Sequence, residues 1–189
     1  MKSLSNYISE KLIINKNFKN QNHLYVPNNK IDLINILIKI YKKEGPGTTE
    51  KPIDLNIIDV SNVDNFYEVF LSAYLQGADF ECIDVFDWDL NGTNSLESMF
   101  YHCSKLWYIK GLSNWNVEHI TSFKNMFCKC VSLYNIGDIS TWKPKSLTNM
   151  DDMFKDCLNL RSIGNILEWE KTNHNIIIPE IYKRTFDLQ

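Results

Sequence analysis

The chain has 189 residues, 44% of them apolar and 13% aromatic, and a formal net charge of -3. That composition excludes a wholly disordered chain and supplies a hydrophobic core. Acidic and basic residues are mixed along its length, so there is no basic field to grip a phosphate backbone, and nucleic acid is not an expected partner.

Residues 1–20, MKSLSNYISEKLIINKNFKN, are interrupted by Glu10, Lys11, Lys16 and Lys19 and hold no apolar run of signal-peptide or membrane-span length. No membrane partner is expected. Leu4, Tyr7, Ile8 and Leu12 share one helical face, with Ser3 or Ser5 in capping position, which predicts an amphipathic helix. Two roles fit it: a cap on the repeats that follow, or a docking peptide. Residues 21–51 read as a strand-helix cap and linker. HLYV forms the strand before Pro27, and KIDLINILIKIYKKEG the helix, with Ile31, Leu33, Ile34, Leu37, Ile38, Ile40 and Tyr41 apolar. Lys42, Lys43 and Gly45 mark its end, and GPGTTEKP is the linker.

Residues 52–170 repeat. Trp88, Trp115, Trp142 and Trp169 are each 27 residues apart. The same step relates Met99, Met126 and Met153; Phe100, Phe127 and Phe154; Cys103, Cys130 and Cys157; Leu106, Leu133 and Leu160; and Ile109, Ile136 and Ile163. An earlier, irregular unit aligns on Phe70, with three extra residues placed in YLQGAD. Within a unit, Leu96, Met99, Phe100 and Cys103 have the offsets of one helical face, which predicts a short helix. LWYIKGL, LYNIGDI and LRSIGNI read as short strands. The expected fold is α/β: a short leucine-rich-repeat-like solenoid with parallel short strands on one side and short helices on the other, preceded by a helical segment. Residues 171–189 are expected to close it as a C-terminal cap.

LSNWNVEHITSFKNMFCKCVSLYNI, with its tryptophan, Met-Phe pair, cysteine and leucine at fixed offsets, resembles the repeat of the BspA-like leucine-rich-repeat proteins. That family includes adhesive bacterial surface proteins, and similar repeats occur in phages and mobile elements of gut bacteria. Residues 1–18 also resemble leader segments of crAss-like phage proteins. The resemblance implies a phage- or mobile-element-encoded protein that binds and modulates a host protein, such as a defence component. The alternatives are a virion-associated or packaged protein addressed by its N-terminal peptide, and a surface adhesin.

Five cysteines and no export signal point to reduced thiols and to the bacterial host cytoplasm, with the virion as the alternative location. The cysteine ladder reads as one buried repeat position, since zinc sites use close ligand pairs, and Cys128 is left free to face solvent. The four histidines sit in no ligand or triad motif, and phosphate loops, HExxH and GxSxG are all missing. No enzyme, metal or cofactor is expected. The residue after the ladder leucine is Trp107, Tyr134 and then Arg161, with Phe80 at the matching position one unit earlier. These types are enriched at interface hot spots, so Phe80, Trp107, Tyr134 and Arg161, with Tyr108, Lys110, Asn135 and Asp138 beside them, are the candidate protein-binding stripe. If the column faces inward instead, it is simply more core.

Overall fold

The computed structural model describes residues 23–161 and 163–178. The predicted helix at residues 1–20 and the end of the tail, residues 179–189, lie outside these.

The chain enters through Tyr25, which bridges in parallel to Ile58. Helix α1 (Lys30–Glu44) starts where the Asn29 side chain accepts hydrogen bonds from the backbone of Ile31 and Asp32. It stops at Gly45, whose N–H donates to the Tyr41 carbonyl at 2.8 Å from a left-handed φ of 79°. Leu33, Ile34, Leu37 and Ile40 are its buried face, while Ile31 is exposed. That face covers the irregular first repeat, with Tyr41 edge-on to Phe80 at 5.3 Å. The following segment is less free than a linker. The Pro46 carbonyl accepts from the backbone of Glu81 at 2.8 Å and Cys82 at 3.1 Å, which binds it to the next unit.

Three short strands, β1 (Ile53–Asp54), β2 (Cys82–Asp84) and β3 (Tyr108–Lys110), form a parallel sheet in that order. Ile53, Ile83 and Ile109 are in register, and the pairing continues as a single bridge from Tyr108 to Asn135. The described residues are therefore mixed α/β, with one small parallel sheet and few helices. The segment carrying the three extra residues leaves α2 (Val69–Tyr74) as an outward turn in which Leu75, Gln76 and Gly77 are exposed.

The helix expected in each unit over SLESMFYHC forms only in the first, as α2. Elsewhere among the described residues the same segment is a series of turns. Met99 N–H bonds to the Leu96 carbonyl, Cys103 to Phe100 and Leu106 to Cys103, each three residues back. The third residue of the first two turns is left-handed: φ is 55° at Ser98 and 59° at His102. Asn125 and Asp152 (55° each) repeat the first, and Lys129 (63°) and Asp156 (61°) the second. A positive φ at the third position ends helical winding and is what a type II turn requires. The intervening amides then point to the next unit. Ser98, Phe100 and His102 donate to the carbonyls of Lys124, Met126 and Cys128, all at 2.9 Å, and Asn125, Phe127 and Lys129 repeat this one unit on. Units are thus hydrogen-bonded to one another where a helix would bond to itself.

The ladders are the core. Phe70, Phe100, Phe127 and Phe154 stack in sequence, and Trp88, Trp115, Trp142 and Trp169 do the same, with Trp88 and Trp115 within 1° of parallel. Such pairs contribute about 0.5–1.5 kcal/mol each beyond area burial. Each indole also needs an acceptor. Trp115 donates to the Val85 carbonyl at 2.8 Å, Trp142 to Leu112 at 2.7 Å and Trp169 to Ile139 at 3.0 Å. Those same carbonyls accept the turn-closing N–H of Trp88, Trp115 and Trp142, so both lone pairs are used. The cysteines follow the same logic: the Phe100 carbonyl accepts from Cys103 N–H and from the Cys130 thiol at 2.9 Å. Among the described residues no buried side-chain nitrogen or oxygen lacks a partner.

After the last tryptophan, inside α3 (Glu168–Thr172), the chain folds back. Buried Asn173 donates from its amide to the carbonyls of Pro144 and Leu147, and Ile176 and Ile178 are buried behind it.

Candidate functional site

The inward residues recur mostly every third position, Cys103, Leu106, Ile109, Leu112 and Trp115, which leaves the residue after the ladder leucine outside. Trp107 is 39% exposed and Tyr134 38% exposed, and their rings stack at 5.0 Å within 3° of parallel. Arg161 is exposed, with its guanidinium carbon 5.7 Å from the centre of the Tyr134 ring. Backbone bonds set this alignment: Tyr134 N–H donates to the Trp107 carbonyl at 2.9 Å, and Arg161 N–H to the Tyr134 carbonyl at 3.2 Å. The column faces outward.

Phe80 does not belong to it. Strand register pairs Cys82 with Tyr108, and Trp107 N–H bonds to the Glu81 carbonyl at 2.7 Å, so the residue one rung before Trp107 is Glu81. The sheet repeats here after 26 residues, and counting 27 overshoots by one. Phe80 takes the ladder-leucine position, 4% exposed, against Tyr41 and against Phe70 at 5.9 Å.

The flanking residues divide by what their side chains already hold. Lys110 is exposed, pairs with Asp84 at 2.6 Å, and has its pKa raised by that bond. Tyr108 is half-buried. Asn135 and Asp138 are exposed, but each spends a side-chain oxygen on local backbone, accepting from Gly137 N–H at 2.7 Å and Ser140 N–H at 2.9 Å. They shape turns. Phe86 is a further surface aromatic outside the predicted stripe, 47% exposed beside Gly111, whose φ of 100° and close approach to the Phe86 backbone leave no space for a Cβ. Its signal was present, since Ser113 and Ser140 hold that position in later units.

The model of the family described as "Mycoplasma protein of unknown function, DUF285" matches residues 47–106 and 71–183, together well over half of the chain. The chain belongs to this family. Overlapping matches are what a repeat family produces on a repetitive chain, and the membership agrees with the resemblance to BspA-like repeats. No curated protein and no solved structure matches the chain.

In this DUF285 chain four of the cysteine thiols are shielded from water. Burial pushes up the thiol pKa of Cys82, Cys128, Cys130 and Cys157. A protonated, buried thiol is a poor nucleophile and a poor metal ligand. Cys128 was expected to face solvent, yet it is buried, flanked by the charges of Asp152, Asp156, Lys129 and Lys155. Among the described residues no group of three or more His, Cys, Asp or Glu is placed to hold a metal ion. His119 is hydrogen-bonded to the Leu90 carbonyl and His23 faces Asp59 at 3.7 Å. A cleft lined by Phe70, Tyr74, Phe80 and Leu106 has space for about one water molecule. No helix among the described residues is long and apolar enough to cross a membrane.

Proposed function

We propose that this protein is a non-catalytic protein–protein interaction module, a short leucine-rich-repeat-like solenoid whose Trp107 column docks on another protein. The observation that carries the reading is the exposed, coplanar stack of Trp107 on Tyr134. A packed stack held by backbone ladder bonds is already ordered, so binding costs it little rotamer freedom, and Trp, Tyr and Arg are hot-spot residues. Burial and the raised thiol pKa values of Cys130 and Cys157 favour a structural role for these cysteines over a nucleophilic one. Origin in a phage or mobile element, with a host protein as target, is part of the same proposal and rests on the resemblance of the repeats and of residues 1–18; action inside the cell rests on the reading of the cysteines as reduced thiols. The test is affinity capture from lysate with the full chain, with a Trp107→Ala/Tyr134→Ala variant and with residues 1–20 removed. The reading expects a partner that survives removal of 1–20 and is lost with the double variant. An unchanged partner set in the double variant, with folding intact, would refute it.

The match to the DUF285 family, with its likeness to BspA-like repeats, favours a second reading as a surface adhesin. Cell fractionation separates the two: protease accessibility on intact cells supports the adhesin, and recovery only after lysis supports the intracellular module.

A further inference from the structure

The chemistry of the column specifies its partner more narrowly. Resting on the reading of this surface as a protein-docking site, we propose that its occupant is an extended peptide segment bearing an acidic residue close to an apolar one. The acid would meet Arg161, and the apolar side chain would lie on the edges of Trp107 and Tyr134. Three observations carry this. Both faces of the Tyr134 ring are taken, one by Trp107 and one by Arg161, and one face of Trp107 is taken by Tyr134. Ligands that stack flat, such as sugars and bases, therefore find no free face on Tyr134 and at most one, on the side of Trp107 away from Tyr134. Ring edges carry the positive end of the aromatic quadrupole and so favour a carboxylate.

Arg161 itself is available. Lys105 and Lys110 are paired with Asp79 and Asp84, whereas Arg161 has no carboxylate within ion-pair distance among the described residues. A guanidinium lying over a ring keeps its N–H edge outward in the fork that matches a carboxylate. Charge also gives the column a direction. Exposed Glu81 precedes Trp107 by one rung, so the surface runs from negative through aromatic to positive. With rungs about 4.8 Å apart, Trp107 to Arg161 spans about 10 Å, three residues of extended chain. The acid then lies two or three residues from the apolar anchor.

The experiment is selection of a random heptapeptide library on the full chain at physiological salt. Expected enrichment is for Asp or Glu two or three residues from Trp, Phe or Leu. Arg161→Glu should weaken the enriched peptides at least tenfold, Arg161→Lys should weaken them less, and changing the peptide acid to Lys should restore binding to Arg161→Glu. Enriched peptides without an acid, bound equally by Arg161→Glu, overturn the proposal. If their binding still falls with Trp107→Ala/Tyr134→Ala, the docking surface stands; if it does not, that reading falls too. No enrichment overturns the peptide proposal and leaves the docking surface to the affinity capture with the Trp107→Ala/Tyr134→Ala variant, and Trp107-dependent binding of hyaluronate without enrichment assigns the surface to an acidic glycan.

Discussion

The indole of Trp142 donates a 2.7 Å hydrogen bond to the carbonyl of Leu112, thirty residues earlier, and that oxygen also closes the turn of its own unit by accepting from Trp115 N–H. One atom thus fixes the local path and the stacking of the next repeat. Trp142→Phe keeps an apolar ring but removes the donor and leaves a small void. The expected cost is about 2 kcal/mol, from one lost buried bond and imperfect refilling. Denaturant titration checks it, with Trp107→Phe as the surface control, expected within about 0.5 kcal/mol of the parent.

His102 is exposed and held at a φ of 59° by the ladder bond to Cys128. A β-branched residue resists that conformation by about 1–2 kcal/mol, and glycine adopts it freely. His102→Val should lower stability by about that amount, and His102→Gly should match or exceed the parent. Equal losses from both substitutions would show that the imidazole, and not the backbone angle, matters there.

The buried thiols predict slow chemistry and a pH dependence with a definite sign. Cys82, Cys128, Cys130 and Cys157 have folded pKa values above the ordinary 9.0, because burial disfavours the thiolate. Below pH 9 both folded and unfolded chains hold these protons and stability does not depend on them. Above it the unfolded chain releases them first, so folding stability falls as pH rises. The denaturation midpoint should drop as pH rises above 9, and less steeply in Cys130→Ala. Iodoacetamide labelling of these four should be slow until denaturant is added.

Phe80 and Trp107 should separate core from surface. Phe80→Ala empties a site packed by Tyr41 and Phe70 and should cost about 3–5 kcal/mol. Trp107→Ala should lower the thermal midpoint by only a few degrees, from the lost stack on Tyr134, and remove binding. Because Trp88, Trp115, Trp142 and Trp169 are buried, acrylamide quenching of the parent should report Trp107 almost alone, and the component it quenches should vanish in the variant.

The sequence by itself determined the period, the ladders and their burial. A unit that cannot bury its apolar residues alone must meet its own copy, so Trp88, Phe100, Cys103 and Ile109 could recur at 27 only by lying over their equivalents. Helix α1 was equally legible, since Asn29, the apolar face, the terminal lysines and Gly45 are all local signals. The path between ladder residues was not. Offsets of three and four describe a helical face and also successive three-residue turns, and only the destination of amides such as Ser98 N–H, bonded to Lys124 in another unit, separates the two. Asn125, Asp152 and Asp156, residues that tolerate left-handed backbone, were the faint local trace of the turns. Tertiary structure alone also decided the one-residue slip at β2 that buries Phe80, the burial of Cys128 and the outward face of Trp107. A strand of three residues has too few side chains to reveal its phase, so the hydrogen bonds it makes with its neighbours settle which of them meets solvent.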